Sequence, residues 1–205
     1  MSEDARLGSY TVRAASAVDA GAIAALHRDG LPEAFLTSLG TAFLGVLYRS
    51  LATDAESVLV VAERDGTVVG FVAGVPSVGG FFRRFAIRHG VRAVVAAAPH
   101  VLRGGVLRRM RETASYPENM SGLPDAELLS IAVSDAARRS GVATELVARL
   151  FAGLAARGVE EVKVVVAADN AAANRFYERV GFRRAGTTEV HRGHVSNVWV
   201  SRCRS

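Results

Sequence analysis

The stretch that most constrains the fold is residues 127–151, E-L-L-S-I-A-V-S-D-A-A-R-R-S-G-V-A-T-E-L-V-A-R-L-F. Residues 128–133 read as a buried strand, a short polar turn follows, and a helix begins at about Gly141. The first N–H groups of a helix have no internal partners, and the helix dipole places partial positive charge there. A strand that runs through a small cationic loop into a helix start is therefore an anion site. Gly141 lets a ligand approach the backbone, and Ala143 is the next smallest choice. Arg138 and Arg139 add forked donors suited to phosphate oxygens. Ser140, Val142 and Thr144 complete the turn and open the helix.

A second signature lies downstream. The β-branched run 162–168 reads as another buried strand. It leads into N-A-A-A-N-R-F-Y-E-R-V-G-F at residues 170–182, a short helix closed by Gly181-Phe182. The first loop resembles motif A of the GNAT acetyltransferase superfamily, Arg/Gln-x-x-Gly-x-Gly/Ala, through Arg138, Gly141 and Ala143. The second stretch resembles motif B of the same family, through Asn170, Tyr177, Gly181 and Phe182. The separation of the two motifs also matches. The resemblance covers residues 125–200 well, and residues 10–75 match in element order only.

The resemblance implies acetyl-CoA as cosubstrate. Its pyrophosphate would lie on residues 138–144, and its pantetheine arm on the backbone of Ile131, Ala132 and Val133. Asn170 and Asn174 would bond the pantetheine amides. In the implied reaction an amine attacks a thioester, and positioning supplies much of the rate. Backbone N–H groups near Val133 would stabilise the thioester oxygen. Tyr177 would protonate the leaving sulfur, and Glu127 is the first candidate for general base. Glu33 and His27 are weaker candidates at the joint between the first two helices. Each has a plainer reading: Tyr177 as a tyrosine packed on the sheet, Asn170 as a helix N-cap, Asn174 as an exposed mid-helix asparagine, Glu127 as a solvated strand-edge residue, His27 as a surface residue.

The rest of the chain fits one domain over residues 1–205. Residues 10–15 read as a strand, and Ser16 with Asp19 as a capping-box start to a helix ending at Gly30. Phe35, Leu36, Leu39, Phe43, Leu44 and Leu47 form one helical stripe. Runs 58–62 and 67–73 form a hairpin through Asp65-Gly66, and two strands close the chain around Arg192-Gly193.

Residues 76–120 are the anomaly. Net charge is +5 over 205 residues, and this segment alone holds eight arginines against two acids. The remainder is nearly neutral, so the charge does not argue for nucleic acid. Two helical patches, 81–98 and 101–112, are expected there, broken by Pro99 and by Gly104-Gly105. Three roles stay open: amphipathic helices with solvated arginines, a lid whose Arg83, Arg84, Arg88 or Arg92 meets a phosphate-bearing acceptor, or a basic surface for a membrane or partner.

The single cysteine, Cys203, rules out a disulfide framework within the chain. No residue window is apolar enough for an integral membrane segment, and the histidines lack metal-ligand spacing. The expectation is a cytoplasmic enzyme without metal, with an α/β (α+β mixed sheet) GNAT fold and a basic helical insertion at about 76–120. It would acetylate a primary amine of a small molecule, with an amino sugar as one class. Protein N-terminal or lysine acetylation and a non-catalytic acyl-CoA-binding module are the alternatives, and a homodimer stays open.

Overall fold

The β-branched runs assemble into one seven-stranded sheet. The structure, a computed structural model, describes residues 10–101, 122–191 and 194–203. The strands are β1 (Thr11–Ala14), β2 (Val58–Arg64), β3 (Thr67–Val75), β4 (Glu127–Val133), β5 (Glu161–Ala167), β6 (Arg183–His191) and β7 (His194–Arg202). Their order across the sheet is β1-β2-β3-β4-β5-β7-β6. Every neighbouring pair is antiparallel except β4–β5, which is parallel. This is the mixed sheet anticipated above. The hairpin turns through Asp65 and Gly66, both at positive φ, as the Asp-Gly pair requires. The turn at Arg192-Gly193 and the patch at 101–112 beyond Val101 lie outside the described residues.

Six helices cover the two faces among the described residues: α1 (Ala20–Gly30), α2 (Phe35–Ser38), α3 (Thr41–Thr53), α4 (Val78–Val101), α5 (Val142–Ala155) and α6 (Ala171–Arg179). One core sets α1, α3 and α4 against Val61, Phe71 and Ala73, and the other sets α5 against Val60, Val72, Leu128 and Val164. A short 3-10 turn, Ala17–Asp19, precedes α1, where the Ser16 N–H donates to the Asp19 carboxylate at 2.7 Å.

Two expectations are corrected. The stripe from Phe35 to Leu47 predicts one helix, but Gly40 adopts φ 89° and separates α2 from α3. Left-handed backbone is accessible to glycine and ends the first helix there. Pro99 was expected to break the inserted helix, yet α4 runs through it to Val101. Proline removes one donor, so the helix continues there at the loss of the bond to the Val95 carbonyl.

The β3–β4 ladder contains a bulge. Ala73 pairs with Ser130 and Gly74 with Leu128, so Leu129 is an extra residue on β4. A bulge resets the alternation of faces. Leu129 and Ala132 consequently pack with the α1–α3 core, while Leu128, Ile131 and Val133 pack with α5.

Candidate active site

β4 is paired with β3 along its length, but its other edge is nearly free. The only β4–β5 register pair is Glu127 with Lys163, closed by Lys163 N–H donating to the Ala126 carbonyl at 2.9 Å. Beyond it β5 pairs with β7 from Glu161 to Ala167. The two parallel strands therefore part toward their C-terminal ends. Ile131, Ala132 and Val133 lie on the β4 side of that opening, with one row of backbone groups unclaimed by β5.

The cationic loop stands at the open end. Asp135–Ala137 form one 3-10 turn, and the Ser140 hydroxyl donates to the Ala137 carbonyl at 2.7 Å. Arg139 and Gly141 take left-handed backbone at φ 63° and 85°. Gly141 is the N-cap of α5 and offers no side chain to its first turn. The N–H groups of Val142, Ala143 and Thr144 are thus free for a ligand. A side chain at Gly141 would meet only the Tyr10 hydroxyl, at 3.8 Å. Arg138 pairs with Asp135 at 2.9 Å while staying 60% exposed, and Arg139 has no ion-pair partner among the described residues. The cradle fits a pyrophosphate: small, cationic, uncapped and open.

The second motif sits beside the same opening. Asn170 is the N-cap of α6 and accepts from the Ala173 N–H at 3.0 Å. Asn174, expected to bond the pantetheine amides or to stand exposed in mid-helix, is bonded within the protein. Its amide donates to the carbonyls of Ala167 and Asn170, at 2.9 and 2.8 Å. Its oxygen accepts from Asn197 and from the Trp199 indole, at 2.8 and 2.9 Å. Both donors and both lone pairs are used, so the side chain ties α6 to β5 and β7 instead of presenting groups to pantetheine. Tyr177 is buried against Phe176 and Phe182. Burial pushes its phenol well above the usual range, which keeps it protonated.

Glu127 is not the solvated edge residue of the plainer reading. Its carboxylate is 13% exposed and lies 3.7 Å from the Lys163 ammonium. Lys163, which the sequence reading passed over, is buried and also donates to the Pro124 carbonyl. The signal for it was present: the only lysine of the chain stands inside a β-branched strand. Glu33 is exposed. His27, expected at the surface, is 1% exposed. Its Nδ1 meets the Tyr48 hydroxyl at 2.5 Å, which meets the Ser130 hydroxyl at 2.9 Å. Burial pushes the imidazole down to about 4. The structure places His27 on this buried chain next to β4.

The lid reading of the arginines is corrected at one position. Arg84 is spent on Asp54, with two bonds at 2.9 and 2.8 Å. A cleft of about 530 Å³ between β1, β2 and the ends of α3 and α5 is lined by none of the candidate residues. Among the described residues no group of three His, Cys, Asp or Glu is placed to hold a metal. No helix there is long and apolar enough to cross a membrane.

A sheet whose central parallel strands part over an uncapped helix start narrows the choice of fold, and the family model decides it. The acetyltransferase (GNAT) family model matches residues 22–182. The chain belongs to the GNAT acetyltransferase family. It is an N-acetyltransferase, acetyl-CoA is its cosubstrate, and the non-catalytic reading is set aside. No curated protein matches the chain. Among solved structures, it is similar to the ribosomal-protein-S18-alanine N-acetyltransferase from Escherichia coli, with 16% identity, TM-score 0.59 and 96% of each chain covered. An N-acetyltransferase from Staphylococcus aureus Mu50 gives 17% identity and TM-score 0.61 over 96% of this chain and 100% of that one. The yncA structure from Salmonella typhimurium, solved with its cofactor acetyl-CoA, gives 16% and 0.61 over 97% and 96%. Identities this low establish a shared GNAT fold.

Proposed function

We propose that this GNAT enzyme transfers the acetyl group of acetyl-CoA to a primary amine of a small molecule, with amino sugars the first class to test. The observation that carries the cofactor half is the uncapped α5 start at the open end of the β4–β5 gap. There the N–H groups of Val142, Ala143 and Thr144, with Arg138 and Arg139, would hold the pyrophosphate. The free edge of Ile131, Ala132 and Val133 would take the pantetheine amides, as a third strand would. Asn170 acts chiefly as the helix cap.

Tyr177 is the proposed general acid from its place in the second motif beside the β4–β5 opening, where its protonated phenol would pass a proton to the leaving thiolate. Glu127 is the proposed base, held in place by the Lys163 ammonium. Support for a small acceptor comes from the inserted α4. Arg84 joins its start to the end of α3, and His100 near its far end packs on Gly40. The helix thus runs antiparallel to α3 and ends at the joint between α1 and α3. An added wall at that joint favours an enclosed pocket. We take residues 1–205 to work as one domain.

A protein N-terminal amine is the second reading, favoured by fold likeness to the S18-alanine enzyme. Thiol release from acetyl-CoA against amino sugars, their nucleotide forms, aminoglycosides, polyamines and short peptides separates the two. Turnover confined to small amines supports the proposal, and turnover confined to peptides overturns it. Glu127→Gln is expected to lower turnover and flatten its pH dependence while acetyl-CoA affinity stays nearly intact. An unchanged pH–rate profile would remove Glu127 as base.

A further inference from the structure

Helix α4 buries one face and leaves another without a partner. Phe81 and Phe85 turn inward, where Phe85 meets Phe43 edge-on, and Ala93 and Ala97 are buried with them. On the outside, Ile87 is 79% exposed, Val91 81%, Val94 70% and Val95 68%. At the α-helical repeat of ~100° per residue these four side chains fall within an arc of about 100°. Ala98, also exposed, continues the stripe, which then extends about 16 Å along the helix. Arg83 flanks one margin, and Arg88 and Arg92 flank the other. None of the three makes an ion pair among the described residues. No acidic residue occurs between positions 66 and 101.

We infer that α4 is an interfacial docking helix, which lays its Ile87–Val91–Val94–Val95 stripe on an anionic lipid surface with Arg83, Arg88 and Arg92 in the headgroup layer. The chemistry selects this occupant. A smooth aliphatic stripe on one convex helix sinks into a headgroup boundary whatever its shape, and basic margins meet lipid phosphates. Arginine stems lie along the apolar surface while their guanidiniums stay in the polar layer. A protein partner would call for aromatic anchors in pockets, but Phe81 and Phe85 face the core. A second copy would set arginine margins against arginine margins with no acid between them. The helix lies on such a surface and does not span it, since no described helix is long and apolar enough to cross.

The test is sedimentation of the full chain with phosphatidylcholine vesicles, with and without phosphatidylglycerol. Binding is expected only with phosphatidylglycerol. It should fall about tenfold or more in Val91→Glu, with soluble acetyl-transfer rates unchanged, and fall likewise in the double variant Arg88→Gln/Arg92→Gln. Failure to sediment with anionic vesicles overturns the inference, as does equal sedimentation by Val91→Glu. So does a fall in the thermal midpoint of Val91→Glu, which would show the stripe covered by another part of the same chain. A concentration-dependent dimer abolished by Val91→Glu would assign the stripe to self-association instead.

Discussion

Asn174 sits inside a nine-residue helix, where asparagine is a poor helix former, and its carboxamide makes four hydrogen bonds. The local helical cost is offset by long-range bonds to β5 and β7. Asn174→Ala would leave the buried Trp199 indole and the buried Asn197 amide without this acceptor. The expected loss is about 3 kcal/mol in denaturant unfolding, because buried donors without partners are expensive. At Gly141 the constraint is conformational: there is room for a methyl group, but φ is 85°. Gly141→Ala should cost about 1 kcal/mol of stability. Gly141→Glu should abolish acetyl-CoA binding in a titration, since it sets a carboxylate where phosphate belongs; retained tight binding would displace the loop from its proposed role. Tyr177→Phe separates acid catalysis from packing. A loss of turnover of about a hundredfold or more at an unchanged thermal midpoint marks the acid, and unchanged turnover marks a packing tyrosine.

At the scale of elements, the site is a consequence of where two strands stop pairing. β5 has β7 on one side and meets β4 only at Lys163, so the gap opens between partners that are each secured on their far edge. The buried Lys163–Glu127 pair closes the narrow end. The inserted α4 is secured differently. Arg84 reaches Asp54, the C-cap of α3, whose carboxylate also accepts from the Ser57 hydroxyl at 2.7 Å. Arg84→Ala would strand a carboxylate whose side chain is only 7% exposed. A loss of about 2 kcal/mol is expected in chemical denaturation, with half the guanidinium's gain discounted for its own partial exposure. Arg88→Ala, which breaks no ion pair among the described residues and removes only a weaker coulombic contribution at Asp54, should cost much less than Arg84→Ala.

For the molecule as a whole, two buried groups, His27 and Asp19, contribute to the acid side of the stability profile. His27 is neutral in the fold and is pushed down to about 4 from an ordinary 6.5. Below 6.5 the unfolded chain takes up a proton that the folded chain refuses, so stability falls as pH drops from 6.5 toward 4 and then levels. That contribution amounts to about 3 kcal/mol at most. Asp19 adds to the fall at lower pH. The Arg13 guanidinium at 2.9 Å holds its carboxyl well below the usual carboxylate range, so the stability it contributes is present above that range and is lost as pH falls through it. Unfolding midpoints from pH 8 to 4 should therefore decline from about 6.5 downward, and His27→Gln should flatten the upper part of that decline. A wild-type profile flat to pH 5 would contradict the burial of His27.

Residues 127–151 and 170–182 determined by themselves the strand, the loop, the helix start and the family, because those features rest on chemistry local in sequence: a small residue at a tight backbone, arginines beside a helix start, an asparagine cap. The Asp65-Gly66 hairpin was legible for the same reason. Only the tertiary structure decided that the stripe from Phe35 to Leu47 breaks at Gly40, that α4 continues through Pro99, and that Leu129 bulges. It alone joined Lys163 to Glu127 across 36 residues, Asn174 to Trp199, and His27 to Ser130 through Tyr48. Those contacts pair groups far apart along the chain, and their strength depends on a low-dielectric surrounding, which exists only once the sheet has brought the groups together out of water.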